Sequence, residues 1–494
     1  MTPVLPCTNP PVQSIVDTLG FQSPHVDMSD QILQTLSGEA LDSTDVPYSA
    51  ISNDIYSPVV TPDARPLGYG IDFGTSNSAV SVAYHDRVEV VPIGQARTLP
   101  SFVYLHRAGR RAAGEAAVKT FLKSGHEKTD CWNCSLAPYG WDTDCRQYRK
   151  GGGCNDARLL SGVKHELAKL GFAGTNSWAV DFSVGSLVSV VLKRLKEEAD
   201  ASAGEGATSV VLGHPVVFAG ADPADREASD AEAFRRLEQA AREAGFSAVA
   251  FLPEPTAAII GGPSHRGVEV AVDFGGGTFD VAVMDSRHGT PRIAGLSGVA
   301  VGGETLDGVL FETSVGPALG LEVLPYWLYN ELRTASSVRL LMADPGIPSI
   351  LSRIRGPAAA LVHALLYDGH AYDFYKAIES AKIALSDSDE IELRFPPLGL
   401  LVTLRRTAFE SMIRRELDLV RETITRALDN AGVTPKDVSR VLLTGGSAYI
   451  PAFRADLAEM FGAQRLEQRD AFTAVVHGLG VRAQQLWSAN PLPA

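Results

Sequence analysis

Two short stretches combine a carboxylate with a run of small residues. "IDFGTSNSAVSV" holds Asp72, Gly74, Thr75, Ser76 and Asn77; "VDFGGGTFDVAV" holds Asp273, Gly275, Gly276, Gly277, Thr278 and Asp280. In each, an apolar strand ends in Asp and a turn without bulky side chains follows. Glycine weakens a strand interior, so three in a row between two apolar runs need a reason. Backbone N–H groups freed of side chains can converge on anionic oxygens. The carboxylates cannot face bare phosphate. They fit if a divalent cation, usually water-bridged Mg²⁺, lies between them and the phosphates. Either turn alone is equally well a structural hairpin. Two copies, about 200 residues apart, point to a clamp for a triphosphate.

A second cluster is chemically different. Cys131, Cys134, Cys145 and Cys154 have the spacing C-x2-C-x10-C-x8-C within "CWNCSLAPYGWDTDCRQYRKGGGC". A C-x2-C knuckle is the usual first half of a tetrahedral zinc site, and the second knuckle is missing here. Structural Zn²⁺ is the leading reading; an iron–sulfur cluster, disulfides and free thiols are the others. His126 and His165 flank the cluster and read as surface histidines able to replace a ligand. Trp132, Tyr139, Trp141 and Tyr148 would give the segment a small core. Cys7 stands apart.

These residues need elements to hold them. The chain has 494 residues, more than one compact core usually serves. Residues 1–66 carry eight acids against one base and nine of the 29 prolines, which marks an acidic leader, disordered or docked on a partner. From Gly68 the texture changes to short apolar strands alternating with helical spacing. Strand pairs lead into the helix 186–200, the strand 208–218, the helix 226–246 and the segment "AVAFLPEPTAAIIGG". A second hairpin, a Gly-Gly turn into a helix at 298–312, a helical region at 322–386 and a strand–turn–helix at 440–462 follow. The repeat of a strand–Asp-x-Gly–strand unit at 69–83 and 270–284 predicts two related α/β lobes. Net charge is −14, which argues against a nucleic-acid partner. No run reaches the roughly 20 apolar residues of a membrane span, and no signal peptide is visible, so the expected location is cytoplasmic.

With those motifs in view, the sequence resembles the nucleotide-binding domain of the heat shock protein 70 / DnaK family, within the actin-like ATPase superfamily. "PEPTAA" (253–258), "VGGETLD" (301–307), "ESAKIALS" (379–386) and "LLTGGSAYIP" (442–451) carry the resemblance in order. "GTSNSAV", "VVLGHPVVF", "ARLLSGVKHEL" and "LPYWLYNEL" are more similar to its short YegD-like branch. The match covers about residues 68–485. It implies ribonuclease H-like duplicated lobes with a nucleotide cleft between them. Lobe I would cover 67–267 with the Cys-rich insertion at 126–156, lobe II 268–464, a return segment 465–487 and a tail 488–494.

The resemblance also implies roles. Asp72 and Asp273 would hold Mg²⁺ through waters, and Glu254 would orient a metal-bound or attacking water. Asp280 would be a further carboxylate near the catalytic centre. Thr75, Ser76 and Asn77 with Gly74, and Gly275 to Gly277 with Thr278, would bind phosphates beside Gly302 and Gly303. Glu379, Lys382 and Ser386 would hold the adenosine opposite Gly445, Gly446 and Ser447. ATP would be cut to ADP and phosphate by in-line attack of water.

The chain departs from the family in three places. The family's catalytic lysine is the fifth residue of Gly-Asp-Ala-Ala-Lys, but "GEAAVK" places Val118 there and Lys119 one later, about 100° around a helix. Hydrolysis would then be slow. Ile383 and Tyr449 replace the two arginines that sandwich adenine. Only 11 residues follow "FTAVVHGLGVRA", so no peptide-binding domain is expected. The sequence thus predicts an ATP-binding, chaperone-like switch, with protein partners met through the leader or the insertion. Its rivals are a scaffold with little turnover and a small-molecule kinase of the same superfamily.

Overall fold

The computed structural model describes residues 65–124, 128–129, 154–155, 157–177, 180–263, 265–289, 291–343, 347–354, 356–470 and 473–488. Most of the leader and of the Cys-rich insertion lie outside the described residues.

Lobe I starts with an antiparallel hairpin, β1 (Gly68–Phe73) and β2 (Asn77–Ala83), flanked by β3 (Val88–Val90). Helix α1 (Gly114–Ser124) follows, then α2 (Val184–Ala203), β4 (Ser209–His214), α3 (Arg226–Glu243), β5 (Ala248–Pro253) and α4 (Glu254–Ile260). The main strand order is β5-β4-β1-β2-β3, with β4 parallel to β1. The expected strand 208–218 ends at His214 because Pro215 follows, which cannot donate to a ladder.

Lobe II repeats the plan. Strands β6 (Val268–Phe274), β7 (Phe279–Asp285) and β8 (Arg292–Val299) form a meander. They are followed by α5 (Gly303–Leu310), α6 (Ala371–Asp387), α7 (Arg414–Ala431), β9 (Val438–Thr444), α8 (Pro451–Phe461) and β10 (Leu466–Gln468). The order is β10-β9-β6-β7-β8, again with the fourth strand parallel to the first. Every residue of β6 and β7 is buried. That is why they read as continuous apolar runs rather than alternating ones.

Each lobe has its own core, and a third core lies between them. Val211, Leu252 and Ala257 of lobe I meet Ala271, Ala282 and Leu442 of lobe II there. Helix α9 (Ala474–Trp487) completes this core by returning to lobe I, where it packs on β1 and α4. The crossing is close because small residues line it. A Cβ on Gly478 would lie 1.8 Å from the Ala257 carbonyl oxygen, and one on Gly70 would lie 2.3 Å from the Gly480 nitrogen. The Ser81 hydroxyl donates to the Val476 carbonyl across the same seam, at 2.7 Å.

The two ends of the insertion are also joined. Lys128–Thr129 pairs antiparallel with Cys154–Asn155, so the intervening residues leave and re-enter lobe I at one point.

Gly478→Ala should therefore destabilise the protein by about 1–3 kcal/mol, the usual cost of overpacking. Thermal unfolding of the variant against wild type checks this. An unchanged melting temperature would mean that the α4–α9 seam is looser than the structure shows.

Candidate nucleotide site

The β1–β2 and β6–β7 turns face each other across a cleft of about 1200 Å³ between the lobes. The hairpin registers place Asp72 opposite Ala79 and Asp273 opposite Asp280, so each aspartate stands where its strand ends. The turns nearly touch. A Cβ on Gly276 would lie 3.0 Å from the Ser76 hydroxyl, and one on Gly277 would lie 2.7 Å from the Thr75 hydroxyl. Gly74 is required for a local reason, since its Cβ would sit 2.0 Å from the Asn77 carbonyl oxygen.

Lobe II shapes the second turn from behind. The Gly303 and Glu304 amides at the start of α5 donate to the Gly275 and Gly276 carbonyls at 3.0 and 2.8 Å. Those carbonyls are thereby engaged away from an incoming anion. Gly302 makes the approach feasible, because a Cβ there would lie 2.5 Å from Gly276. The Ser447 hydroxyl donates to the Gly275 carbonyl at 3.3 Å, tying the β9–α8 turn to the same loop.

The adenosine-type residues gather at one end of the cleft. Glu379, Lys382 and Ser386 line it from α6, and Gly445, Gly446 and Ser447 line it from the β9–α8 turn. Lys382 is buried and tied down, donating to the Gly303 carbonyl at 2.8 Å and to Asp307 at 3.0 Å. Burial raises the Asp307 carboxyl to about 6 against the pull of Lys382. Glu379 pairs with Lys376 at 2.7 Å. Ile383 and Tyr449 also line the cleft, 55% and 44% exposed, which is unusual for large apolar side chains and suits a flat ring between them.

The cleft is also crowded with charge. Asp72, Glu254 and Asp273 line it, and a Cβ on Gly445 would lie 2.8 Å from an Asp273 carboxylate oxygen. Burial first, then the charge of Glu254, pushes the Asp72 and Asp273 carboxyls well above the usual carboxylate range. Such an excess of negative charge is what a divalent cation would neutralise, so the residues fit Mg²⁺. Among the described residues no three His, Cys, Asp or Glu side chains close on one point.

Asp280 differs from the other three. It is 1% exposed and does not line the cleft. Its carboxylate accepts from the Val216 and Val217 amides of lobe I at 2.9 and 3.2 Å and from the Thr278 hydroxyl at 2.7 Å. It thus bridges the lobes behind the second turn. Gly302 likewise supports that turn rather than lining the cleft.

Lys119 stands toward solvent, its side chain 77% exposed and its ammonium on Glu115 at 2.8 Å. The cation beside these carboxylates is Lys164, donating to Glu254 at 2.7 Å with its side chain only 11% exposed. Neither its type nor its spacing singled it out within "ARLLSGVKHEL". The one signal was indirect: Val118 leaves the family's lysine position without a cation. The next residue corrects an expectation. His165 is not a surface histidine; its side chain is 21% exposed and lies between the lobes, 3.4 Å from Glu304 of lobe II. Turning the chain there puts it within 2.7 Å of a Cβ on Gly277. Cys131, Cys134, Cys145 and His126 lie outside the described residues, and Cys154 is described only as backbone.

The Hsp70 protein family model matches residues 159–316 and 371–490. The chain belongs to the Hsp70 family. Its fold is accordingly the actin-like ATPase fold of that family, and the turns at Gly74 and Gly276 occupy the cleft of its nucleotide-binding domain. Over 433 residues the chain is 26% identical to the chaperone protein DnaK of Thermosipho melanesiensis, covering 84% of this chain and 58% of that protein. It is 28% identical over 444 residues to the chaperone protein HscA homolog of Burkholderia mallei, covering 86% and 59%. The mitochondrial heat shock 70 kDa protein of Solanum tuberosum is 26% identical over 414 residues, covering 81% and 52%. The chain spans a little over half the length of these relatives. Among the described residues, no helix is long and apolar enough to cross a membrane.

A pH effect follows from Asp280. Burial, and then Glu254, raise its carboxyl to about 7 in the folded state, against an unfolded value near 4. Between those values the folded chain binds a proton that the unfolded chain releases, so this group's contribution to stability falls as pH rises from about 4 to 7. Asp280→Asn removes the titration. Its stability relative to wild type should rise with pH over that window, by at most about 1.4 kcal/mol per unit. Denaturant unfolding of both proteins at pH 5 and 7.5, without nucleotide, reads this directly, and a pH-independent difference would rule it out.

Proposed function

We propose that the chain binds ATP with Mg²⁺ in the interlobe cleft and hydrolyses it to ADP and phosphate, as a chaperone-type conformational switch. The observation that carries this reading is the approach of two glycine turns from separate lobes, each preceded by an aspartate, Asp273 buried and Asp72 half-buried. A ligand with several adjacent anionic groups suits that geometry, and membership of the Hsp70 family supports a nucleotide. The relatives' names call them chaperones, which supports the switch.

In this reading Gly275 to Gly277, Thr278, Thr75, Ser76 and Asn77 grip the phosphates. Ile383 and Tyr449 pack the base, and Glu379, Lys382 and Ser386 hold the adenosine opposite Gly445, Gly446 and Ser447. Mg²⁺, when bound, neutralises charge between the phosphates and Asp72 and Asp273. Glu254 holds a water for in-line attack, and the closed turns exclude bulk solvent. Because the lobes meet through α4, α9 and a thin shared core, nucleotide contacts on both sides of the cleft would set the angle between them. The leader 1–66 and the insertion 126–156 supply partner specificity.

A second reading is a nucleotide-binding scaffold with little turnover. Lys119 favours it, since its side chain is largely exposed and its ammonium is paired with Glu115 at the edge of the cleft. Single-turnover release of the γ-phosphate from ATP decides between them. The proposed ATPase releases phosphate above background only with Mg²⁺, and Asp273→Asn slows release about 100-fold, a typical loss for one transition-state-stabilising group. Tight ATP binding without release would favour the scaffold.

A further inference from the structure

The cleft residues are linked by short contacts. Lys382 donates to the Gly303 carbonyl, the Gly303 amide and the Ser447 hydroxyl both donate to the Gly275 carbonyl, and the glycine turns meet where Gly276 approaches Ser76. Lys164, Glu254, Asp72 and Asp273 line the same cleft, with Lys164 on Glu254. With a base against Ile383 and Tyr449 and the inner phosphates in the glycine turns, Lys164 is the buried cation left for the last phosphate.

The other cations that line the cleft are engaged elsewhere. Lys119 is on Glu115, Lys376 on Glu379, Lys382 on Asp307 and the Gly303 carbonyl, and Arg158 on the Ala157 carbonyl. Lys164 differs in two ways. Like Lys119 and Lys376 it has one hydrogen bond among the described residues, to Glu254, but its side chain is 11% exposed against their 77% and 56%. It is also held charged where burial alone would discharge it, because Glu254, Asp72 and Asp280 surround it and raise its pKa.

The backbone that presents it is specially built. Gly162 opens the turn with a left-handed φ of 60°. Gly220 lets a neighbouring loop close on it, since a Cβ there would lie 2.4 Å from the His165 carbonyl oxygen. From α3, the buried Arg236 guanidinium donates to the carbonyls of Glu166, Leu167, Lys169 and Phe172 at 2.6–3.2 Å. The turn is thus fixed against lobe I while His165 reaches Glu304 of lobe II.

Resting on the reading of the cleft as an ATP site, we propose that Lys164 is the cation that binds the terminal phosphate of ATP, a role that Lys119 does not perform. Lys164 keeps one hydrogen bond to Glu254 and gives the others to the third phosphate. Arg236 is a positioning residue that holds the turn.

The test compares ATP with ADP, both with Mg²⁺, by calorimetry on the full chain. Wild type should prefer ATP. Lys164→Met should lower ATP affinity about 10- to 100-fold, the range for a lost hydrogen bond to a charged group, and leave ADP affinity within about threefold. Retained ADP binding also shows that the variant is folded. An unchanged ATP-to-ADP ratio, or an equal loss of both, would overturn the role of Lys164 alone. If wild type binds neither nucleotide, the ATP reading falls and this proposal falls with it. A labelling experiment on wild type avoids any folding defect in the variant. An adenosine polyphosphate carrying an aldehyde in place of the terminal phosphate forms an imine with a nearby lysine, which borohydride fixes. Peptide mapping should find the label on Lys164. Label on Lys119 or Lys382, or none, would overturn the proposal.

Discussion

The structure is organised around one electrostatic constraint: four carboxylates gathered about a single ammonium. Asp72, Glu254, Asp273 and Asp280 come from both lobes, and Lys164 cannot balance them alone. Burying unbalanced charge is costly, and proteins meet the cost by protonation or by a partner. Here the raised carboxyls show the first response, and a cation with an anionic ligand is the natural second. The carboxylates come from both lobes, so whatever balances them touches both.

Glycine sets how closely the two sides approach. The two glycine turns, the support at Gly302 and the α4–α9 crossing all depend on the absence of a Cβ, which would lie 1.8–3.0 Å from the nearest atom at Gly74, Gly276, Gly277, Gly302, Gly70 and Gly478. Most of those nearest atoms are backbone or hydroxyl, with little room to adjust. Helix α4 is the element that carries lobe I onto lobe II, packing on β6, β7 and β9, while α9 braces it from the lobe I side.

Much of this was legible in the sequence. The repeated strand–Asp-x-Gly–strand unit gave away both hairpins because its pattern is local, and the matching strand orders bear out two related lobes. The residues of the two turns and of α6 lie in contiguous motifs, so their convergence on one cleft could be anticipated. What stayed hidden depends on long-range folding. Lys164 reaches the cleft, and His165 reaches Glu304, from a turn that Arg236, some 70 residues later, clamps from behind. The resemblance implied for Asp280 only a place near the catalytic centre. Its partners, the Val216 and Val217 amides, come from lobe I about 64 residues earlier, a contact that no local pattern shows.

The return of α9 to lobe I has a further consequence for how the chain is made. The Ser81–Val476 bond joins residues 395 positions apart, and Gln484 donates to the Tyr84 carbonyl across 400. On a ribosome, β1 and β2 emerge long before the helix that covers them. Lobe II can close its own sheet first, while the face of lobe I that α9 will cover stays open to water. Residues 474–487 thus act as a late keystone. A chain stalled before them would expose the small, smooth face of β1 that the finished protein hides, and that face would be what quality-control factors meet.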